Sequence, residues 1–256
     1  MIAIGALATA GIPVTGRWPW LAIAVGLVGL VLTASVAAAG SPSSAEIAVF
    51  QWFNDPPGAL GAVMRLVNPL LRPVGLTILT GTVIVLLTLT RRDVFWPLVT
   101  SATAAGILAY LIDNVVKFVV DRGRPPTYLS DVLYHGYPID PRGTGYPSSH
   151  TAVTVGVIVG AWPWLNRPWR VGGIVAAAAI GLNRMYVGAH FPLDVLGGVA
   201  VGLVAAGIVL VVAQWLSRRV DTSTHPNATG VNKRGLELNL GQRCDSGCEN
   251  GDERAE

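Results

Sequence analysis

The sequence predicts an all-α membrane protein, a polytopic bundle of about six transmembrane helices. Only 13% of its 256 residues are charged, whereas 52% are hydrophobic, and the mean hydropathy is +0.53. Soluble domains carry about 25% charged residues, so lipid is the main solvent expected around this chain. The net charge of +3 does not indicate nucleic acid binding, because the cations sit near predicted helix ends and form no stripe.

A helix needs about 20 mostly apolar residues to cross the hydrocarbon core. Five stretches come near that length, and a sixth, 149–165, is shorter; the six are 19–39, 73–90, 94–117, 149–165, 170–186 and 193–216. The mixed segment 44–71, which contains Asp55-Pro56-Pro57, is predicted to lie along the membrane interface. Residues 1–217 are therefore predicted to form a membrane-embedded domain. The polar remainder, 218–256, is predicted to be a disordered cytoplasmic tail.

Arginine placement predicts the orientation of these spans, because cytoplasmic loops are enriched in Lys and Arg. If the amino terminus lies inside, the cations that fall on the cytoplasmic side are Arg17, Arg91, Arg92, Arg167, Arg170, Arg218 and Arg219. This frame predicts a multi-pass plasma-membrane protein with both termini in the cytoplasm; Arg65 and Arg72 do not follow it. Ala37-Ala38-Ala39 resembles a signal-peptidase site, so a cleaved first span is the alternative.

Three short clusters of polar residues lie next to the ends of the apolar stretches. They are Lys117 with Arg124 and Pro125; Pro147, Ser148, Ser149 and His150; and Arg184 with His190 and Asp194. Ionisable side chains near a bilayer are costly and are usually functional. Three cations suit an anion with several oxygens, and two imidazoles with a carboxylate supply a nucleophile, an acid and an orienting partner. The clusters indicate phosphate-ester chemistry at a membrane surface.

The geometry of a helix suggests how two of these residues cooperate. His190 and Asp194 are four residues apart, so on a helix they share a face. The carboxylate could then accept the Nδ1 proton of the imidazole and leave Nε2 free to attack phosphorus. Ser148 or Ser149 would begin the helix that follows, where free N–H groups favour an anion.

The spacing of the clusters resembles the three-part signature of the type 2 phosphatidic acid phosphatase superfamily, which vanadium haloperoxidases and bacterial acid phosphatases share. The pattern is Lys-x6-Arg-Pro, then Pro-Ser-x-His, then Arg-x5-His-x3-Asp, within residues 117–194. With the flanking predicted helices, the likeness extends to about 73–217. The resemblance implies a membrane lipid phosphatase with an acid-phosphatase/haloperoxidase-like core.

The resemblance also implies roles for individual residues. His190 would be the nucleophile that forms a phosphohistidine, His150 the acid and base, and Asp194 the partner of His190. The phosphate-binding residues would be Lys117, Arg124, Ser148, Ser149, Arg184 and Gly188. Two positions depart from the family pattern: Ser149 replaces the usual glycine and Asn183 replaces the usual serine.

Several polar residues have simpler interpretations. Lys117 could pair with Asp113 or Asp121 on its own helix. Arg122 and Arg142 are expected to be loop charges, with a role as ligands as the alternative. His135 is expected in an interfacial loop, with a substrate lid as the alternative. Cys244 and Cys248 are predicted to be free thiols, and the glycines at 197, 198 and 202 to allow close helix packing.

No cofactor is predicted. The residues His150, His190 and Asp194 could imitate a two-histidine, one-carboxylate metal site. Arg124 and Arg184 would repel a divalent ion there, so a metal-independent mechanism is expected.

Three functions remain open at this stage. The first is hydrolysis of a lipid phosphate on the extracytoplasmic face, with polyprenyl pyrophosphate, phosphatidate or phosphatidylglycerophosphate as substrate. The second is transfer of the phosphoryl group to a glycan or lipid acceptor. The third is non-catalytic lipid transport. The predicted partners are a membrane lipid phosphate and the bilayer, and no oligomeric state is predicted.

Overall fold

The helices of the protein follow the apolar stretches of the sequence. A computed structural model of the chain describes residues 16–71, 82–83, 85–86, 88–89, 92, 94–136 and 139–224, with side chains as far as 219. The helices with defined bounds are α1 (Trp18–Ala38), α2 (Ser44–Asn54), α3 (Gly58–Val67), α4 (Phe95–Val120), α5 (Pro125–Tyr128), α6 (Ser149–Ala161), α7 (Arg167–Tyr186) and α8 (Pro192–Thr224). Short 3₁₀ turns cover Asn68–Leu71 and Trp162–Trp164. Within these ranges there is no strand, which confirms the all-α class.

Three helices in the described part of the chain are long and apolar enough to cross a membrane: Trp18–Ala38, Phe95–Val120 and Pro192–Arg219. Helices α6 and α7 occupy the predicted spans 149–165 and 170–186, but α6 has only 13 residues. The predicted span 73–90 lies largely outside the described residues. The protein is thus a polytopic membrane helix bundle.

The edges of the predicted domains differ in detail from the structure. The interfacial segment 44–71 forms α2, α3 and a 3₁₀ turn. Helix α8 continues to Thr224, beyond the predicted start of the tail at 218, and residues 225–256 lie outside the described part. Cys244 and Cys248 are among those residues, so their predicted state as free thiols stays a prediction.

Helix ends carry the local signals that place the polar residues. Ser43 caps α2 by accepting a hydrogen bond from the N–H of Glu46 at 3.2 Å. Asn166 caps α7, and Pro192 begins α8, where its missing N–H costs nothing. Helix α4 ends at Val120, and its C-cap residue, Asp121, has a left-handed φ of +43°. The chain therefore turns sharply just after Lys117 and returns to the end of the bundle.

Small residues bring α4, α6 and α8 into close contact. Ala105, Ala109 and Ala152 are fully buried at these crossings. A Cβ added at Gly198 would lie 2.6 Å from the carbonyl oxygen of Ser148, and one at Gly202 would lie 2.7 Å from that of Ala152. The predicted role in helix packing is confirmed for Gly198 and Gly202, whereas a Cβ at Gly197 would meet the ring of Tyr146, which lies outside the helices. The contact also sets the start of α8 beside the start of α6, where the polar clusters lie.

Gly202→Ala should destabilise the bundle, because the new methyl group meets backbone atoms of α6 that cannot move alone. Overpacking of this kind costs about 1–3 kcal/mol. The matched control is Gly172→Ala, since Gly172 lies on an exposed face of α7 with no atom within 4 Å of its Cβ position. Thermal unfolding in detergent should show a lower midpoint for the first variant only. Equal midpoints for both variants would contradict the packing argument.

Candidate active site

The three polar clusters meet at one end of the bundle. Lys117 lies in the last turn of α4, and its ammonium donates to the hydroxyl of Ser149 at the start of α6. The N–H of Ser148 donates to the backbone oxygen of Asp194, in the first turn of α8, at 2.9 Å. Arg184 lies in the last turn of α7 and is 3% exposed. Residues far apart in sequence are therefore joined by direct contacts.

Three cations surround the two imidazoles. Lys117, Arg124 and Arg184 each act electrostatically on His190, and the same three act on His150. The two imidazoles also interact with each other, because a positive charge on His190 disfavours protonation of His150. Burial and the three cations, led by Arg184, hold the pKa of His190 well below the ordinary value for histidine. The imidazole of His190 is therefore neutral at physiological pH.

The hydrogen bond of His190 differs from the one expected. Its Nδ1 bonds the carbonyl oxygen of Gly145 at 2.7 Å, whereas the nearest carboxylate oxygen of Asp194 is 3.7 Å away. The expectation that Asp194 accepts the Nδ1 proton is thus wrong in this structure. A carbonyl can only accept, so Nδ1 carries the proton and Nε2 keeps its lone pair. Nε2 is therefore unprotonated, as expected, but the acceptor of the Nδ1 proton is a backbone carbonyl and not Asp194.

The carboxylate of Asp194 is occupied by other donors. Its Oδ2 accepts from the N–H of Phe191 at 2.8 Å, and its Oδ1 accepts from the guanidinium of Arg122 at 3.0 Å. The backbone oxygen accepts from Ser148. Asp194 therefore fixes the turn that carries His190 and ties the starts of α6 and α8 together.

Arg122 and Glu46 are the residues that sequence reasoning missed. Arg122 was expected to be a loop charge, yet its side chain is only 2% exposed and donates to both oxygens of Glu46, at 2.7 and 3.1 Å. Arg142, by contrast, is exposed, as expected. One signal was available for Glu46: Ser43-x-x-Glu46 has the pattern of a capping box at the start of α2. The glutamate side chain reaches Arg122 instead of the cap.

Asp113 is a second carboxylate in contact with the polar clusters. It is fully buried, and its Oδ2 accepts from Lys117 and from Ser149, each at 2.6 Å. The alternative pairing of Lys117 with Asp113 is therefore present, and Asp121 is instead the C-cap residue of α4. Although it pairs with Asp113, Lys117 still acts electrostatically on both His150 and His190.

Comparison with known proteins assigns the fold. Residues 95–218 match the sequence profile of the PAP2 superfamily, a stretch that contains all three clusters. The PAP2 superfamily is therefore the family that this part of the chain matches, over 124 of its 256 residues. The family resemblance predicted from the motif spacing is thus confirmed.

Relatives and solved structures agree with this family. The chain is 33% identical over 107 residues to a lipid A 1-phosphatase of Rhizobium etli, covering 41% of this chain and 44% of that protein. It is 31% identical over 104 residues to an undecaprenyl-diphosphatase of Sulfolobus acidocaldarius, covering 38% and 46% of the two chains. The matches thus span less than half the length of these curated relatives.

Two crystal structures share the fold. LpxE of Aquifex aeolicus superposes with a TM-score of 0.51 at 24% identity, covering 64% of this chain and 94% of that one. A transmembrane PAP2 type phosphatidylglycerolphosphate phosphatase of Bacillus subtilis gives 0.50 at 21% identity, covering 75% and 96%. These likenesses extend the shared fold beyond the residues that the family profile matches.

The remaining PAP2 signature residues lie as follows. Arg124 donates from Nε to the carbonyl of Thr144 at 3.3 Å, and Ser148 is fully buried. Gly188 has a left-handed φ of +77°, and a Cβ there would meet Leu133 at 2.9 Å. Glycine is therefore required at this turn by backbone geometry and by close packing. Asn183, which departs from the family pattern, is 3% exposed.

The loop that contains His135 is fastened to the bundle. The ring of His135 stacks on Tyr186 at 3.9 Å, and its Nε2 bonds the carbonyl of Asn54 at 2.7 Å. The side chain of Asn54 bonds Leu133 and the carbonyl of Tyr186. His135 thus lies in a loop, as expected, and that loop is anchored to α2 and α7.

The protonation state of His190 can be measured directly. We expect a neutral ring with its proton on Nδ1 at about pH 6, where an ordinary histidine is mostly protonated. Histidine ¹⁵N NMR of the protein in detergent micelles reports the charge and the tautomer, and His190→Gln assigns the signal. A signal that protonates with a midpoint at or above 6.5 would contradict the lowered pKa.

Proposed function

We propose that this protein is an integral-membrane lipid phosphatase that hydrolyses a lipid phosphate or pyrophosphate through a phosphohistidine at His190. The observation that carries the proposal is the bond from His190 Nδ1 to Gly145, which leaves Nε2 unprotonated amid three cations. The names of the relatives, lipid A 1-phosphatase and undecaprenyl-diphosphatase, support the class of reaction. The proposed phosphatase domain is residues 1–217.

The proposed reaction has two steps. In the first, the bound phosphate anion favours a protonated His150, Nε2 of His190 attacks phosphorus, and the bond from phosphorus to the leaving oxygen breaks as His150 donates its proton to that oxygen. In the second, His150 takes a proton from water, which attacks phosphorus and breaks the phosphorus–nitrogen bond. Lys117, Arg124 and Arg184 offset the charge on the phosphoryl oxygens in both steps. No step requires a metal ion.

The substrate proposed is polyprenyl pyrophosphate, with phosphatidate and phosphatidylglycerophosphate as the other lipid phosphates to test. The undecaprenyl-diphosphatase among the relatives favours the first. We place the site on the extracytoplasmic face of the plasma membrane, with both termini in the cytoplasm. The arginine distribution supports this placement.

His190→Gln should abolish phosphate release from these lipids, by about a thousandfold or more, because it removes the nucleophile. The assay uses the full chain in detergent with EDTA and a panel of the three lipids. His225→Gln, in the predicted tail, is the matched histidine control and should keep full activity. Full activity of His190→Gln would show that another group attacks phosphorus.

His150→Gln should separate the two steps of the reaction. Without the base that activates water, the second step slows, so a substrate with a good leaving group should leave phosphate bound to His190. The measurement is an acid-labile phosphoryl label on the protein, which is absent from His190→Gln. Adding lipid or glycan acceptors tests the alternative, since transfer that outruns phosphate release would identify a phosphotransferase.

Cysteine labelling tests the orientation. In a background of Cys244→Ser and Cys248→Ser, which removes both native cysteines, we expect Arg142→Cys to react with a membrane-impermeant maleimide in intact cells. Arg92→Cys should react only after permeabilisation, because it is placed on the cytoplasmic side. Both positions are exposed in the structure. The reverse labelling pattern would place the site on the cytoplasmic face.

A further inference from the structure

Arg122 contacts the surroundings of His190 through two separate groups. Its backbone carbonyl accepts the N–H of Gly145 at 2.6 Å, and Gly145 in turn accepts the Nδ1 proton of His190. Its guanidinium donates to Asp194 at 3.0 Å, and Asp194 holds the N–H of Phe191 next to His190. Arg122 therefore fixes both the acceptor of the imidazole and the turn that carries it.

Glu46 holds the guanidinium in place. It accepts two hydrogen bonds from Arg122, and it also accepts the N–H of Leu193, at 3.4 Å, near the start of α8. Burial alone would lower the pKa of Arg122, but the hydrogen bonds and charges of Glu46 and Asp194 outweigh it and raise that pKa. The arginine stays charged, and both of its terminal nitrogens are engaged by carboxylates.

The position of Arg122 does not suit a ligand of the substrate phosphate. The residue is 3% exposed, its guanidinium lies over the ring of Phe191 at 5.2 Å, and two carboxylates neutralise it. A phosphate would have to displace Glu46 or Asp194 to reach it. Lys117, by contrast, pairs with a single carboxylate, that of Asp113.

We propose that Arg122, anchored by Glu46, is a positioning residue that orients His190 for attack on phosphorus. This inference rests on the proposed phosphatase function. It assigns a role to α2, which precedes the residues that match the PAP2 profile. The guanidinium holds Asp194 and, through it, the turn at Phe191, so that the ring of His190 keeps its bond to Gly145.

Two substitutions to glutamine test whether Arg122 positions His190 or binds the substrate. Arg122→Gln removes the side-chain clamp and keeps the backbone bond to Gly145, and Glu46→Gln keeps the arginine but removes its anchor. The control is Arg142→Gln, which changes an exposed arginine with the same loss of charge. All variants are made in the full chain and checked for folding by thermal unfolding in detergent.

The first readout is the titration of His190 by ¹⁵N NMR, which requires no turnover. The charged and titratable groups around this ring are Lys117, Arg124, Arg184 and His150, with Asp194 at 3.7 Å from its Nδ1; Arg122 contacts Asp194, and Glu46 contacts Arg122. Removing the cation of Arg122 should move the titration midpoint of His190 to higher pH, and removing the anion of Glu46 should move it to lower pH. Each shift should reach about half a pH unit, and Arg142→Gln should give none.

The second readout is the kinetics of phosphate release. A misplaced nucleophile lowers kcat, so Arg122→Gln should lose about tenfold to a hundredfold in kcat, with KM changed by less than about threefold. A rise in KM at unchanged kcat would make Arg122 a substrate ligand and overturn the proposal. The proposal would also be overturned if neither substitution moved the titration midpoint of His190 and the activity fell only in proportion to the fraction of unfolded protein. If the unsubstituted protein releases no phosphate, the proposed function fails. The two shifts of the His190 titration midpoint, upward in Arg122→Gln and downward in Glu46→Gln, would still test whether Arg122 and Glu46 position His190.

Discussion

The hydrogen bond from His190 Nδ1 to the carbonyl of Gly145 is the constraint on which the rest of the site depends. It selects the tautomer, because a carbonyl cannot donate, and it leaves the lone pair on Nε2. The segment that contains Gly145 is itself held in place by contacts with the helices. Tyr146 is fully buried and shares a hydrogen bond of 2.8 Å with Thr33 of α1. The position of the His190 ring is therefore set by contacts with helices from both halves of the chain.

The charges at this end of the bundle fall into two groups with different surroundings. Arg122 is enclosed by Glu46 and Asp194, and this group is rigid because each member makes at least two hydrogen bonds. Buried charges are tolerated only when they are paired in this way. In the second group, Lys117 pairs with the carboxylate of Asp113, and Arg124 and Arg184 act with it on the ring of His190. An anion that approaches the two imidazoles meets these three cations, and the paired group holds the turn that carries His190.

Composition and motif spacing are enough to predict the fold class and the residues that meet in the pocket. The long apolar stretches predict helices, and the spacing of the charged residues predicts that Lys117, His150 and His190 converge. The acceptor of His190 could not be predicted, because a backbone carbonyl leaves no residue-type signal. Sequence also does not separate Arg122 from Arg142, since both lie in polar stretches between apolar segments. Their different burial is decided by α2, which packs near α8 through a contact that is remote in sequence.

The last turn of α4 shows how one helix can serve both the pocket and the bilayer. Phe118 and Val119 are 88% and 74% exposed, whereas the side chain of Lys117 is only 15% exposed. Successive residues of a helix point in different directions, so this turn presents apolar groups on its outer face and an ammonium to the pocket. A lipid phosphate suits this arrangement, because its chains can stay in hydrocarbon while its head group reaches the cations. A water-soluble phosphate ester would gain nothing from the apolar face, and the proposed preference for lipid follows from that difference.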